Sequence, residues 1–223
     1  MVNSEIYFLN KISADSAGPV VLFVTMDSES NDSEQIYRKV KNKISKQFVF
    51  YELVVKDWDT YLTPWPMTMG KREFEGKTDY LLDIINTDII NDIQRQVGKN
   101  SDIFIVGYSL AGLFSVYTVY NSEIFAGLAS CSGSLWYKEF TEYTQTQKLK
   151  RKIKVYLSLG NKEKNSKNEY MKTVEEATLI QRNIFEQSDF VTECNYELNE
   201  GGHFSNVPDR IAKGICYLLS DGE

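Results

Sequence analysis

The chain has 223 residues, 42% hydrophobic and 25% charged, and 31 acidic against 25 basic residues give a formal charge of -6. A chain of this length can bury a core large enough to fold as one domain, 1–223, without disulfides or a structural metal. The acidic balance excludes nucleic acid as the main partner, because phosphate binding is driven by clustered Lys and Arg that release counterions.

The opening MVNSEIYFLNKIS lacks a basic start and an apolar run ending in a cleavage site. No apolar stretch is long enough to span a bilayer, so a cytoplasmic protein with no membrane association is expected. Strand candidates then fall at 6–10 (IYFLN) and 20–25 (VVLFVT), followed by a helical period over 33–46 and a strand over 48–55. A long aperiodic loop covers 56–77. In the helix predicted over 79–97, Leu81, Leu82, Ile85, Ile89, Ile90, Ile93 and Val97 recur at three- and four-residue steps and form one apolar stripe for a sheet.

A strand over 102–107 leads into a helix over 110–121, and another strand follows at 125–132. The basic run Lys148, Lys150, Arg151, Lys152 and Lys154 reads as a solvated helix end leading into the strand 154–160. A helix over 169–187, a strand over 192–198 and a helix over 208–219 complete the chain. Short apolar strands alternating with amphipathic helices predict an α/β fold, with a mostly parallel central sheet and helices on both faces. No repeat, low-complexity tract or linker suggests a second domain. Cys131, Cys194 and Cys216 are widely spaced, odd in number and without a CxxC pair, so they read as free thiols.

The segment DIFIVGYSLAGLFSVYTVY carries the chemistry. Gly107-Tyr108-Ser109-Leu110-Ala111-Gly112 joins a buried strand to an amphipathic helix, a context that holds Ser109 at a sharp turn. Small residues at 107 and 111 let strand and helix approach closely. The amide of Leu110 and the positive end of the helix dipole then face the space where an oxyanion would form. A loose GxSx[GA] pattern is weak alone, and the strand before and helix after give it specificity.

A serine hydroxyl needs a neighbouring base to become a nucleophile. The chain has one histidine, His203, in the glycine-containing loop Glu200-Gly201-Gly202-His203-Phe204-Ser205 before the last helix. The order Ser, acid, His of hydrolases places the acid after the strand 154–160. Glu163 in Gly160-Asn161-Lys162-Glu163 is the favoured acid, with Glu169, Asp189 and Glu193 as alternatives.

With these residues placed, the chain resembles the small siderophore-esterase branch of the α/β-hydrolases, the group with enterobactin esterases and esterase D. The resemblance runs from about Val20 to the C-terminus and is carried by GYSLAGLFSVYTVYNSEIFAGLASCSGSLWY, SLGNKE and the GGHF loop. It implies a single-domain α/β-hydrolase fold with a reduced N-terminus and no separate cap domain, and a catalytic triad of Ser109, Glu163 and His203. Two features depart from the group: Ala111 stands where a glycine is common, and MDSES follows VVLFVT in place of a His-Gly pair. The second oxyanion amide is therefore assigned to Asp27 or its neighbour Ser28.

Trp58, Tyr61 and Trp65 in the 56–77 loop are expected to wall a substrate pocket, with Trp136 of SGSLW opposite. The alternative reading is that they cover the sheet edge. The expected activity is hydrolysis of a small-molecule carboxylic ester, with thioester or amide hydrolysis, or a non-catalytic binding role, as alternatives on the same fold. Neither a metal nor a nucleotide cofactor is implied, because one histidine with scattered carboxylates is a poor ligand set and no GxGxxG or P-loop occurs.

Overall fold

In the computed structural model of the chain, residues 2–26 and 32–220 are described. β1 is Val2–Asn3, β2 Tyr7–Lys11, β3 Val20–Met26, α1 Asp32–Lys41 and β4 Val49–Val55. α2 (Trp58–Tyr61) and a hairpin of β5 (Met67–Met69) and β6 (Arg72–Phe74) follow. Next come α3 (Thr78–Ile84), a π-helical turn (Ile85–Ile89) and α4 (Ile90–Val97). β7 (Ile103–Tyr108), α5 (Leu110–Asn121), β8 (Phe125–Cys131) and α6 (Phe140–Thr146) precede β9 (Ile153–Gly160). The chain continues through α7 (Val174–Glu186), β10 (Val191–Asn199) and α8 (Val207–Leu219).

Eight strands form one sheet in the order β1-β2-β4-β3-β7-β8-β9-β10. β2 runs antiparallel to both neighbours, and every pairing from β4 to β10 is parallel. The parallel part needs cover on both faces, and period two in the strands supplies it. Val20, Leu22 and Val24 of β3 join Ile103 and Ile105 of β7 in one core, under α3, α4, α5 and α7. Val21 and Phe23 join Phe104, Val106 and Tyr108 in the other, under α1 and α8.

All seven strands expected from the sequence form, and the differences lie in the short elements. The 56–77 stretch is not an aperiodic loop, because it holds α2 and the β5-β6 hairpin. α6 was likewise not legible. Strands of three residues and helices of one or two turns complete too few periods to register as a pattern. The expected helix over 33–46 stops at Lys41, and the one over 169–187 opens as a 3₁₀ turn, Met171–Thr173.

The expected helix over 79–97 is continuous but contains the π turn. Ile85 and Ile89, at the two ends of that turn, are both buried, so the apolar stripe runs through it. The basic run lies beyond the end of α6 rather than at a helix end. Arg151 donates to the Ile124 carbonyl at 2.8 Å and Lys154 pairs with Glu193 at 3.0 Å, closing loops near the amino ends of the strands. Among the described residues no helix is long and apolar enough to cross a membrane.

Candidate active site

Parallel strands bring their carboxyl ends to one edge, where the loops that follow them meet. Ser109 follows β7 directly and has φ 57 and ψ -121, a conformation that non-glycine residues rarely adopt. The turn is tight enough that a Cβ on Gly107 would lie 2.1 Å from the Ala111 carbonyl oxygen. Two hydrogen bonds fasten it to the β8 side: Ser109 N–H donates to Cys131 O at 3.1 Å and Ser134 N–H donates to Ser109 O at 2.9 Å. Leu110 is the first residue of α5, so its amide has no carbonyl one turn earlier to bond.

β10 ends at Asn199, and the turn after it presents His203 to Ser109. Nε2 of His203 lies 3.1 Å from Ser109 Oγ, and Nδ1 lies 2.7 Å from Glu163 Oε2. A carboxylate can only accept, so Nδ1 carries the proton and Nε2 is free to accept from the serine hydroxyl. Glu163 opens the 3₁₀ turn Glu163–Asn165 just after β9, and its side chain is 4% exposed. The other candidate acids are elsewhere: Glu169 is exposed and pairs with Lys172, Asp189 is exposed, and Glu193 pairs with Lys154.

Burial is the largest influence on the Glu163 carboxyl and pushes its pKa up. Hydrogen bonds from His203 and Ser132, the imidazole charge and the Gly160 amide together outweigh it and hold the carboxyl below its ordinary value. Oε1 accepts from Ser132 Oγ at 2.7 Å and from Gly160 N–H at 2.7 Å, which leaves Oε2 for the histidine. The approach is close, since a Cβ on Gly160 would lie 2.5 Å from Gly201 O and 2.9 Å from Glu163 Oε1.

Four neighbours of these side chains were not singled out in the sequence. Ser134 Oγ is 3.4 Å from Ser109 Oγ, Ser132 bonds Glu163, Tyr108 Oη donates to His203 O at 2.5 Å, and Arg210 Nη1 reaches Glu163 Oε1 at 3.1 Å. Tyr108, Ser132 and Ser134 stand in the GYSLAG and SGSLW segments, and Arg210 interrupts the apolar stripe of α8 beside Ile211 and Ile215. Phe204 was quoted in the GGHF motif, and its side chain, 90% exposed, stands edge-on to His203 with ring centroids 5.0 Å apart.

The aromatic residues divide. Trp65 and Trp136 both contact the Tyr137 ring, at 6.0 and 6.3 Å, and Trp65 Nε1 donates to Lys138 O. Trp58 Nε1 donates to Thr25 O at the end of β3, whereas Tyr61 pairs with Tyr80 of α3. Asp27, the expected second oxyanion donor, and Ser28 lie outside the described residues. Among the described residues no group of three or more His, Cys, Asp or Glu is placed to hold a metal ion.

The strand order and the strand-turn-helix geometry define an α/β-hydrolase fold. A family model described as "Putative esterase" matches residues 20–205, and the chain belongs to that family. Solved structures with the same fold include the siderophore hydrolase EstA from Aspergillus nidulans, at TM-score 0.67 and 14% identity over 96% of this chain and 89% of that one. An IroE-like serine hydrolase from Shewanella oneidensis aligns at TM-score 0.70 and 14% identity over 96% and 75% of the two chains. The enterobactin hydrolase IroE in complex with DFP aligns at TM-score 0.59 and 12% identity over 98% of each. No curated protein matches the sequence.

Proposed function

We propose that the protein, as one domain over 1–223, is a serine hydrolase that cleaves a small-molecule carboxylic ester through Ser109, His203 and Glu163. The observation that carries this reading is the unbroken hydrogen-bonded chain from Ser109 Oγ through both nitrogens of the sole histidine to a buried carboxylate. His203 Nε2 takes the Ser109 proton as Oγ attacks the ester carbonyl, and Glu163 stabilises the imidazolium that forms. The Leu110 amide, aided by the amino end of α5, donates to the developing oxyanion.

Collapse of the tetrahedral intermediate breaks the carbon–oxygen bond to the alcohol, which leaves with the proton from His203. Water then attacks the acyl-enzyme, its proton going to His203 and on to Ser109 as the acid is released. Membership of the esterase family supports the ester, and Phe204, exposed beside His203, offers apolar surface for its organic parts.

The test is hydrolysis of short p-nitrophenyl esters, with acyl-CoA and amide substrates beside them, by wild type, Ser109→Ala and His203→Ala. Ester hydrolysis that falls by about 10³-fold or more in both variants is expected, since removing members of such a triad leaves only residual catalysis. Labelling of wild type by a fluorophosphonate should vanish in Ser109→Ala. Equal ester rates in the three proteins would refute the reading, and a wild type that neither turns over nor labels would favour a binding role.

A further inference from the structure

Arg210 sits in the first turn of α8 with 1% of its side chain exposed. Taking a guanidinium out of water is unfavourable unless its hydrogens find acceptors; here both terminal nitrogens do, while the buried Nε has no hydrogen-bond partner among the described residues. Nη1 donates to Glu163 Oε1 at 3.1 Å, Ser132 Oγ at 2.9 Å and Tyr108 Oη at 3.1 Å. Nη2 donates to Gly202 O at 3.0 Å and Glu200 O at 3.3 Å. One nitrogen therefore serves the acid, and the other serves the backbone immediately before His203.

Tyr108 adds a third link, because the hydroxyl that accepts from Arg210 also donates to the carbonyl of His203. With Oε1 of Glu163 held by Arg210, Ser132 and Gly160, the carboxylate cannot rotate without losing those bonds, and Oε2 stays on His203. A planar fork can bridge two acceptor groups in this way, whereas an ammonium is a point charge on a flexible stem.

The geometry points to Arg210 as a positioning residue that, given the Ser-His-Glu reading above, clamps Glu163 and the 200–203 turn into one unit. It touches neither Ser109 nor the reacting atoms. It also sets its positive charge against the buried Glu163 carboxylate. The titratable groups facing this cluster are Tyr108 from β7, Cys131 from β8, Tyr196 from β10 and His203 itself. Burial pushes Tyr108 and Cys131 up to about 12, so both stay neutral in an assay near pH 7. Glu197 of β10 is engaged by Lys213 and Tyr156.

The experiment measures kcat and KM for p-nitrophenyl acetate against pH in wild type, Ser109→Ala, Arg210→Lys, Arg210→Met, Glu163→Gln and the Arg210→Lys, Glu163→Gln double variant. Near-UV circular dichroism checks folding. Arg210→Lys keeps the charge and loses the fork, so kcat is expected to fall by about 10- to 100-fold with KM within about threefold. Arg210→Met loses both the fork and the charge, so its kcat is expected to fall at least as far as that of Arg210→Lys. In the Glu163→Gln background Arg210→Lys should add less than about twofold, because the two residues act as a unit.

A folded Arg210→Lys with kcat within twofold of wild type overturns the clamp, as does full multiplicativity with Glu163→Gln, the mark of a merely structural role. A folded Arg210→Met with kcat within twofold of wild type overturns it as well. Should Arg210→Met not fold, Arg210→Lys and the double variant decide. Inactive Ser109→Ala beside unaffected Arg210→Lys sinks the clamp alone, whereas Ser109→Ala as active as wild type sinks the triad reading and the clamp with it.

Discussion

Tyr108 Oη lies 2.5 Å from the carbonyl oxygen of His203, so the residue beside the proposed nucleophile holds the backbone of the proposed base. The link spans β7 and the turn after β10, two elements that do not pair within the sheet. It is partly buried, and Arg210 donates to the same hydroxyl.

Tyr108→Phe removes both bonds and leaves the His203 carbonyl with one partner fewer. A lost hydrogen bond costs about 0.5–1.5 kcal/mol, which corresponds to a fall in Tm of roughly 1–6 °C for a chain of this size. Because His203 loses its tether while the ester pocket keeps its walls, kcat should fall about tenfold with KM little changed. Calorimetry and p-nitrophenyl ester kinetics read the two effects separately.

Glu163→Gln keeps the shape and removes the charge. A glutamine facing Nδ1 no longer stabilises the imidazolium, and kcat is expected to drop by about 10²- to 10⁴-fold. Its effect on stability depends on pH in a fixed direction. The Glu163 carboxyl is held below its ordinary value by the His203 and Ser132 hydrogen bonds that outweigh burial, so the folded state binds fewer protons there than the unfolded chain. The charge-linked stability is present above the ordinary glutamate range and is lost as pH falls through the depressed value. Urea midpoints of wild type and variant should therefore differ more at pH 7 than at pH 3.

Gly107→Ala tests the turn. The added Cβ would meet the Ala111 carbonyl oxygen at 2.1 Å and its carbonyl carbon at 2.3 Å, both backbone atoms with no rotamer to escape by. Strand and helix must separate, at a cost of about 3 kcal/mol or more. Loss of activity together with a lowered urea midpoint is expected; a variant as stable and active as wild type would contradict this packing.

Several tyrosines predict behaviour in alkali. Burial, as the largest cause, pushes Tyr108, Tyr120, Tyr137 and Tyr217 up to about 12. Their raised values mean that the fold holds protons the unfolded chain releases, so this stability is whole below pH ~10 and lost as pH rises toward 12. Titration at 295 nm should show a subset of tyrosinates forming only with unfolding, and the urea midpoint should fall between pH 9 and 11.

The sequence alone determined the alternation of strands and helices, the turn that carries Ser109 and the choice of His203. Each rests on a local cause: side-chain periods of 2 and 3.6, small residues on either side of a sharp bend, and the presence of one histidine. The short elements α2, α6 and the β5-β6 hairpin escaped for the same reason, having too little length to show a period.

Only the tertiary structure puts Glu163, and not Glu169, Asp189 or Glu193, in hydrogen-bond contact with His203, through the side-by-side order of β9 and β10. Arg210 belongs to the same category. Its sequence shows an arginine on an apolar stripe, but the acid, hydroxyls and carbonyls that make its burial tolerable come from the ends of β7, β8, β9 and β10. Hydrogen-bond partners drawn from four strands are created by sheet order, and sheet order is a property of the packed chain rather than of any segment of it.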